Sequence, residues 1–179
     1  MDKLELAVTG VFSYSELSAS FAVGPPAPLI VRTIPEHLKW PTRYISLRGD
    51  SRGAAELTLL DKPMALLRFV ALTKLARADR LLTGEIAQRE PGTPILSLPT
   101  GVGFRESRGT KAASFESCLL YFLSGNTAEI QMGGSVSFDR CIGLGDVDFL
   151  VQKGALAGIR VTNLEDDEVT RLARLLTRD

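Results

Sequence analysis

The stretch from Asp61 to Leu82 most constrains what this chain can fold into. Met64, Leu67, Ala71, Leu75, Ala78 and Leu82 recur at helical spacing. Asp61 and Pro63 suit the cap and first turn of such a helix, and Gly84 suits its stop. Leu66, Phe69, Val70 and Leu72 spread apolar surface over the other sides of its first half. A helix that is apolar all round is buried on several sides or sits in an interface. The pattern therefore predicts a central helix over 61–82. It also predicts a subunit contact built from Met64, Leu66, Phe69, Val70 and Leu72.

Short strands are expected around that helix. Leu4, Leu6 and Val8 alternate with polar residues, and 29–34, 94–98, 147–151 and 159–161 carry strand-like runs. Residues 43–48 and 55–60 suit a hairpin across Gly49 and Gly53, and 82–88 suits a further strand. The clearest hairpin signal joins 127–132 to 135–138 through Gly133 and Gly134, which permit the positive φ of a tight turn. Residues 114–123 fit either periodicity and are read as a helix, capped by Ser114 and stopped by Gly125. A C-terminal helix over about 164–178 is capped by Asn163, with acidic residues at its start, Arg171, Arg174 and Arg178 at its end, and a buried stripe of Val169, Leu172, Ala173 and Leu176. The expected fold is α+β: about seven to nine short, mostly antiparallel strands packed on the central helix. With no internal repeat and no dividing linker, residues 1–179 read as one domain.

Charge narrows the partners. Twenty-one basic residues balance 21 acidic ones, whereas a dedicated nucleic-acid binder carries a basic excess. The same balance weakens electrostatic attachment to anionic lipid and leaves a weak anionic partner, nucleic acid or membrane surface, as the most to expect. A mean hydropathy of +0.10 leans apolar, and part of that excess suits a contact between copies. No apolar run is long enough to span a bilayer. Two isolated cysteines, Cys118 and Cys141, and no secretory apolar region suggest reduced thiols in a cytoplasmic chain.

Each candidate site has a plainer reading beside it. Gly101, Gly103, Arg105, Arg108 and Lys111 form an aperiodic stretch that could cradle an anion through backbone N–H groups and three cations. Neither the Gly-Lys-Ser/Thr phosphate loop nor the dinucleotide glycine pattern fits, and a surface loop explains the glycines. Arg48-Gly49-Asp50 spells an integrin-type tripeptide but is ordinary turn chemistry. Asp139, Asp146 and Asp148 invite a cation, yet 146 and 148 alternate as a strand's solvent face would. His37 is the sole histidine, and no nucleophile or metal-ligand spacing surrounds it. Lys74, Arg77 and Arg80 fan over a broad helix face balanced by Asp79.

No catalytic residue, metal or cofactor is expected from these patterns. They favour a non-catalytic structural or protein-interaction protein that self-associates through apolar surface, a coat- or matrix-like assembly protein being one version. The alternative is a phosphate-binding module for nucleotide or nucleic acid using residues 101–111. An enzyme using scattered carboxylates stays open, because such sites leave little trace in sequence.

Overall fold

A computed structural model describes residues 5–13, 18–25, 27–33, 42–49, 53–60, 67–71, 75–84, 88–98, 101–107 and 110–176. They form sixteen strands and one helix, so the structure is mostly β, and among the described residues no sheet packs on a central helix. In order the strands are β1 (Ala7–Phe12), β2 (Ser20–Gly24), β3 (Ala27–Arg32), β4 (Thr42–Arg48), β5 (Ala54–Leu60), β6 (Leu67–Ala71), β7 (Ala76–Arg77) and β8 (Arg89–Pro91). There follow β9 (Thr93–Ser97), β10 (Arg105–Ser107), β11 (Thr110–Glu116), β12 (Leu119–Ser124), β13 (Thr127–Met132), β14 (Arg140–Leu144), β15 (Val147–Gln152), β16 (Ala155–Val161) and α1 (Asp166–Leu176).

Among the described residues of the expected helix over 61–82, strands stand at Leu67–Ala71 and Ala76–Arg77 and no helix is present. Leu67–Ala71 is β6, hydrogen-bonded between β5 and β3 in the interior of a seven-stranded sheet ordered β10-β11-β4-β5-β6-β3-β2. Phe69 stands in register with Leu57 and Val31, both fully buried, and Val70 with Ile30 and Glu56. A short apolar run between two such neighbours has the same composition as a buried helix turn, and periodicity alone does not separate them. The apolar excess of Phe69 and Val70 therefore has an interior-strand explanation in place of the helix face. Met64, Leu66 and Leu72 lie outside the described residues. Further along, Ala76 and Arg77 pair in parallel with Leu120 and Tyr121.

The second sheet runs β7-β12-β13-β16-β15-β14-β8, with β1 joined to β16 and β9 to β1. Residues 114–123, expected as a helix, instead end β11 and form most of β12. Their Leu119, Tyr121 and Leu123 face the core with a period of two. β13 makes its hairpin with β12 around Gly125 and Asn126, not across Gly133 and Gly134. The latter pair does turn the chain with positive φ, but residue 137 bridges Thr83 and not β13. Three hairpins thus turn on Gly125-Asn126, Gly145-Asp146 and Lys153-Gly154, and positive φ at Gly125, Gly145, Lys153 and Gly154 supplies the twist such turns need. The expected hairpin of β4 and β5 is present.

The second sheet closes on itself. β8 and β9 are the two halves of one run bent at Gly92: the first half pairs with β14, the second with β1, and β1 pairs with β16. Gly92 holds a φ of 137° and its N–H donates to Gly143 O at 2.9 Å. A Cβ there would stand 2.6 Å from Phe12 O, so the bend requires glycine.

Both sheets and the helix share one apolar core. Leu29, Ile45 and Leu57 from the first sheet meet Ile130, Phe149 and Ile159 from the second, and Leu172 and Leu176 close one end from α1. α1 begins where its charge pattern predicts, but Asn163 does not cap it. Asn163 takes a φ of 58° and donates to Asp146, while Glu168 turns back to accept from Glu165 N–H at 3.0 Å. Arg171 of α1 donates to Val23 O on the edge strand β2, which blunts that edge.

Gly92→Ala is expected to cost about 1–3 kcal/mol from backbone strain alone. Gly103→Ala, where an added Cβ meets nothing, stays within about 0.5 kcal/mol of the parent. Urea unfolding of the two variants checks this, and equal midpoints would argue against the closure at Gly92.

Candidate functional site

In β13, Ala128, Ile130 and Met132 face the shared core, so Glu129 and Gln131 point out of the second sheet. Such positions normally meet water. Here residues 80–84 and Phe138 lie over this face, and Leu82, Phe138, Cys141, Leu150 and Ala157 form a second, smaller apolar layer. Glu129 is 0% exposed within it.

A charge row crosses the covered face. Glu129 stands beside Arg160 in register, Arg160 beside Asp148, and Asp148 beside Gly143. Glu129 Oε1 accepts from Leu82 N–H at 2.7 Å and from Gln131 Nε2 at 3.0 Å, and Oε2 accepts from Arg160 Nε at 2.9 Å. Gln131 Nε2 also donates to Arg80 O at 2.8 Å. The Arg160 guanidinium lies over the Phe138 ring, 5.5 Å from its centroid. At the far end Arg89 crosses above Gly143 and donates to Asp148 Oδ1 at 2.6 Å. A Cβ at position 143 would collide with that guanidinium, so glycine is required for the crossing. Burial first, and the Asp148 carboxylate second, push the Cys141 thiol up to about 11, against an opposing pull from Arg89 and Arg160.

The two covering segments leave a cleft between them. Leu120 and Gln131, paired across β12 and β13, lie at its floor. Arg77, Asp79, Arg80 and Leu82 line one wall, and Gly134, Ser135 and Val136 the other, around about 280 Å³. Both walls are pinned. Ala78 N–H donates to Tyr121 O, Gly133 N–H to Cys118 O, Phe138 N–H to Thr83 O, and Thr83 Oγ1 to Val136 O. Gly84 lets the walls meet, since a Cβ there would clash with Phe138 O. Val136, 68% exposed, is the one strongly exposed large apolar side chain among the described residues.

The stretch expected to cradle an anion is built differently. Arg105 and Lys111 belong to β10 and β11, in register with Ala112 and Glu106 respectively. Neighbours one step apart in an antiparallel ladder point to opposite faces, so Arg105 and Lys111 do not converge, and an acidic residue stands opposite Lys111. Gly101 and Gly103 sit in open space before β10, and Arg108 lies outside the described residues. Arg77 and Arg80, expected on a helix flank, instead line the cleft, with Asp79 between them. Asp148 and Asp146 are engaged by Arg89 and Asn163, and Asp139 accepts from Lys153 N–H. Among the described residues no cluster of His, Cys, Asp and Glu could hold a metal ion. His37, Asp50 and Ser51 lie outside them. Cys118 and Cys141 are free thiols, and no described helix is long and apolar enough to cross a membrane. No protein-family model and no curated protein matches the sequence.

Sequence reasoning missed Glu129, Arg160, Arg89 and Val136. The alternation in 127–132 places Glu129 on a solvent face, and nothing local reveals the chain that covers it. Each charge of the covered row is matched, and Glu129 has both oxygens committed.

Two outcomes follow. Arg160→Met strands the buried Glu129 carboxylate and is expected to cost about 3–5 kcal/mol in urea unfolding; the Glu129→Leu/Arg160→Met pair recovers much of that loss. Cys141, whose folded thiol sits near 11 against 9.0, favours the folded chain below pH 9. Between pH 9 and 11 the unfolded chain binds fewer protons, so this contribution fades at up to about 1.4 kcal/mol per pH unit. The decline should be shallower in Cys141→Ala, read as unfolding midpoint against pH.

Proposed function

We propose that this chain is a non-catalytic structural or protein-interaction protein that self-associates, with the cleft beside Val136 as its contact surface. The observation that carries the reading is Val136 itself: an apolar side chain 68% exposed, on a wall whose backbone is pinned on both sides. A rigid exposed apolar group loses little freedom on binding, and burying one valine contributes about 1.5–3 kcal/mol. Two further features support it. The buried carboxylate and thiol of this face serve the fold, Glu129 by holding residue 82 and Cys141 as a protonated apolar group. Balanced totals of 21 basic and 21 acidic residues impose no net repulsion between copies.

The contact expected from Phe69 and Val70 is not part of this reading, because β6 is an interior strand with both backbone edges paired. Assembly as a coat or matrix is the extended version of the same idea, and needs a second contact beyond the cleft.

Sedimentation equilibrium over a wide concentration range tests the reading. The expected mass rises above the 19.4 kDa of one chain as concentration increases. A mass that stays at 19.4 kDa in concentrated solution would overturn it.

A further inference from the structure

The floor of the cleft holds a buried amide oxygen that no protein donor reaches, and its wall holds charges of both signs. We infer that the cleft binds a small zwitterion, an apolar α-amino acid, through groups already in place. The inference goes beyond the self-association reading and does not rest on it.

Gln131 is the first observation. The residue is 5% exposed and lines the cleft floor. Its Nε2 donates to Arg80 O at 2.8 Å and to Glu129 Oε1 at 3.0 Å. Both of those atoms only accept, so turning the amide over would set oxygen against oxygen. Gln131 Oε1 is therefore fixed in place, and among the described residues no donor reaches it. It is not among the fully enclosed unpartnered atoms either, so the oxygen opens onto the cleft. A held acceptor of this kind calls for a ligand that donates.

The charged wall is the second. Arg77, Asp79 and Arg80 are exposed and line the same cleft, and among the described residues none of them forms an ion pair. A simple anion would satisfy the arginines but face Asp79, and a simple cation would do the reverse. A zwitterion answers all of them. Its carboxylate suits the arginine forks, with the Ser135 hydroxyl on the opposite wall as a further donor. Its ammonium has several donors to divide between Asp79 and Gln131 Oε1.

Size and apolar surface are the third. A volume of about 280 Å³ lies just under the roughly 300–1,000 Å³ of sites for drug-sized ligands, which suits a smaller molecule. Leu81 and Leu120, both partly exposed, and the exposed Val136 supply surface for a short apolar side chain. The recess is preformed, because Ala78 N–H is bonded to Tyr121 O and Phe138 N–H to Thr83 O, so little ordering opposes binding.

Titration of the full chain with L-valine, L-leucine and L-methionine, followed by amide NMR, tests the site. At least one is expected to bind at about 1 mM or tighter. The Gln131 side-chain amide and the backbone of 77–82 and 134–136 should shift together. For the amino acid that binds, the N-acetyl derivative lacks the ammonium and the carboxamide lacks the carboxylate; each is expected to bind about tenfold more weakly. Asp79→Asn should weaken the amino acid about tenfold and leave the N-acetyl derivative unchanged, whereas Arg77→Gln/Arg80→Gln should weaken the amino acid and spare the carboxamide. These three side chains are exposed, so melting temperatures should match the parent. No binding by any of the three amino acids overturns the inference, as does binding without a shift at Gln131. Inorganic phosphate or the N-acetyl derivative binding as tightly as the amino acid reduces the cleft to a plain anion site and overturns it too. Variants that weaken every ligand alike overturn the assignment of groups. None of these outcomes reads the mass of the chain, so this site and self-association can fail separately.

Discussion

A carboxylate removed from water must find hydrogen-bond donors or lose its charge, and in this protein that requirement organises one whole face. Glu129 has no solvent contact, and its donors come from three parts of the chain: residue 82 in the covering segment, Gln131 on its own strand and Arg160 on the next. Without Leu82 N–H and Arg160 the carboxylate would be stranded. The covering segment is thus fixed by electrostatic need as well as by the apolar contacts of Leu82 with Phe138 and Leu150. Both walls of the cleft inherit their positions from this arrangement, since Thr83 and Phe138 bond to each other directly beside it.

The row extends beyond Glu129. Arg160 lies between two carboxylates in register, and Arg89 neutralises the outer one by crossing a glycine. Alternating signs across neighbouring strands pair Glu129 with Arg160 and Asp148 with Arg89, which lowers the cost of covering them. The same pattern bears on the Cys141 thiol. It shares that face with Asp148 and is buried, so the thiol holds its proton. The charged residues of this face are matched within the β framework.

Much of the strand framework was legible. The two-residue alternation in 43–48, 55–60, 147–151 and 127–132 identified strands that the structure contains, because a side chain on a pleated backbone has no choice but to alternate. The charge gradient and apolar stripe of the last helix were legible for the same local reason. Its cap was not, since Asn163 was drawn to Asp146 on a neighbouring turn. The 61–82 segment misled because the short apolar run of β6 suits a helix turn as well as a strand, and pairing with β5 and β3 decided between them. Residues 114–123 had both periodicities, and pairing with β4 and β13 decided between them.

By itself the sequence determined which residues seek an apolar interior, where glycine permits a turn, and that no net charge directs the chain to a polyanion. Those are properties of single residues and near neighbours. Tertiary structure alone decided that Glu129 is buried, that Arg105 and Lys111 part company, and that Arg77, Asp79, Arg80 and Val136 share one cleft. The reason is the separation along the chain. Glu129 and Leu82 are 47 residues apart, and Arg160 lies 78 from Leu82, so their meeting depends on strand order and register across the whole sheet.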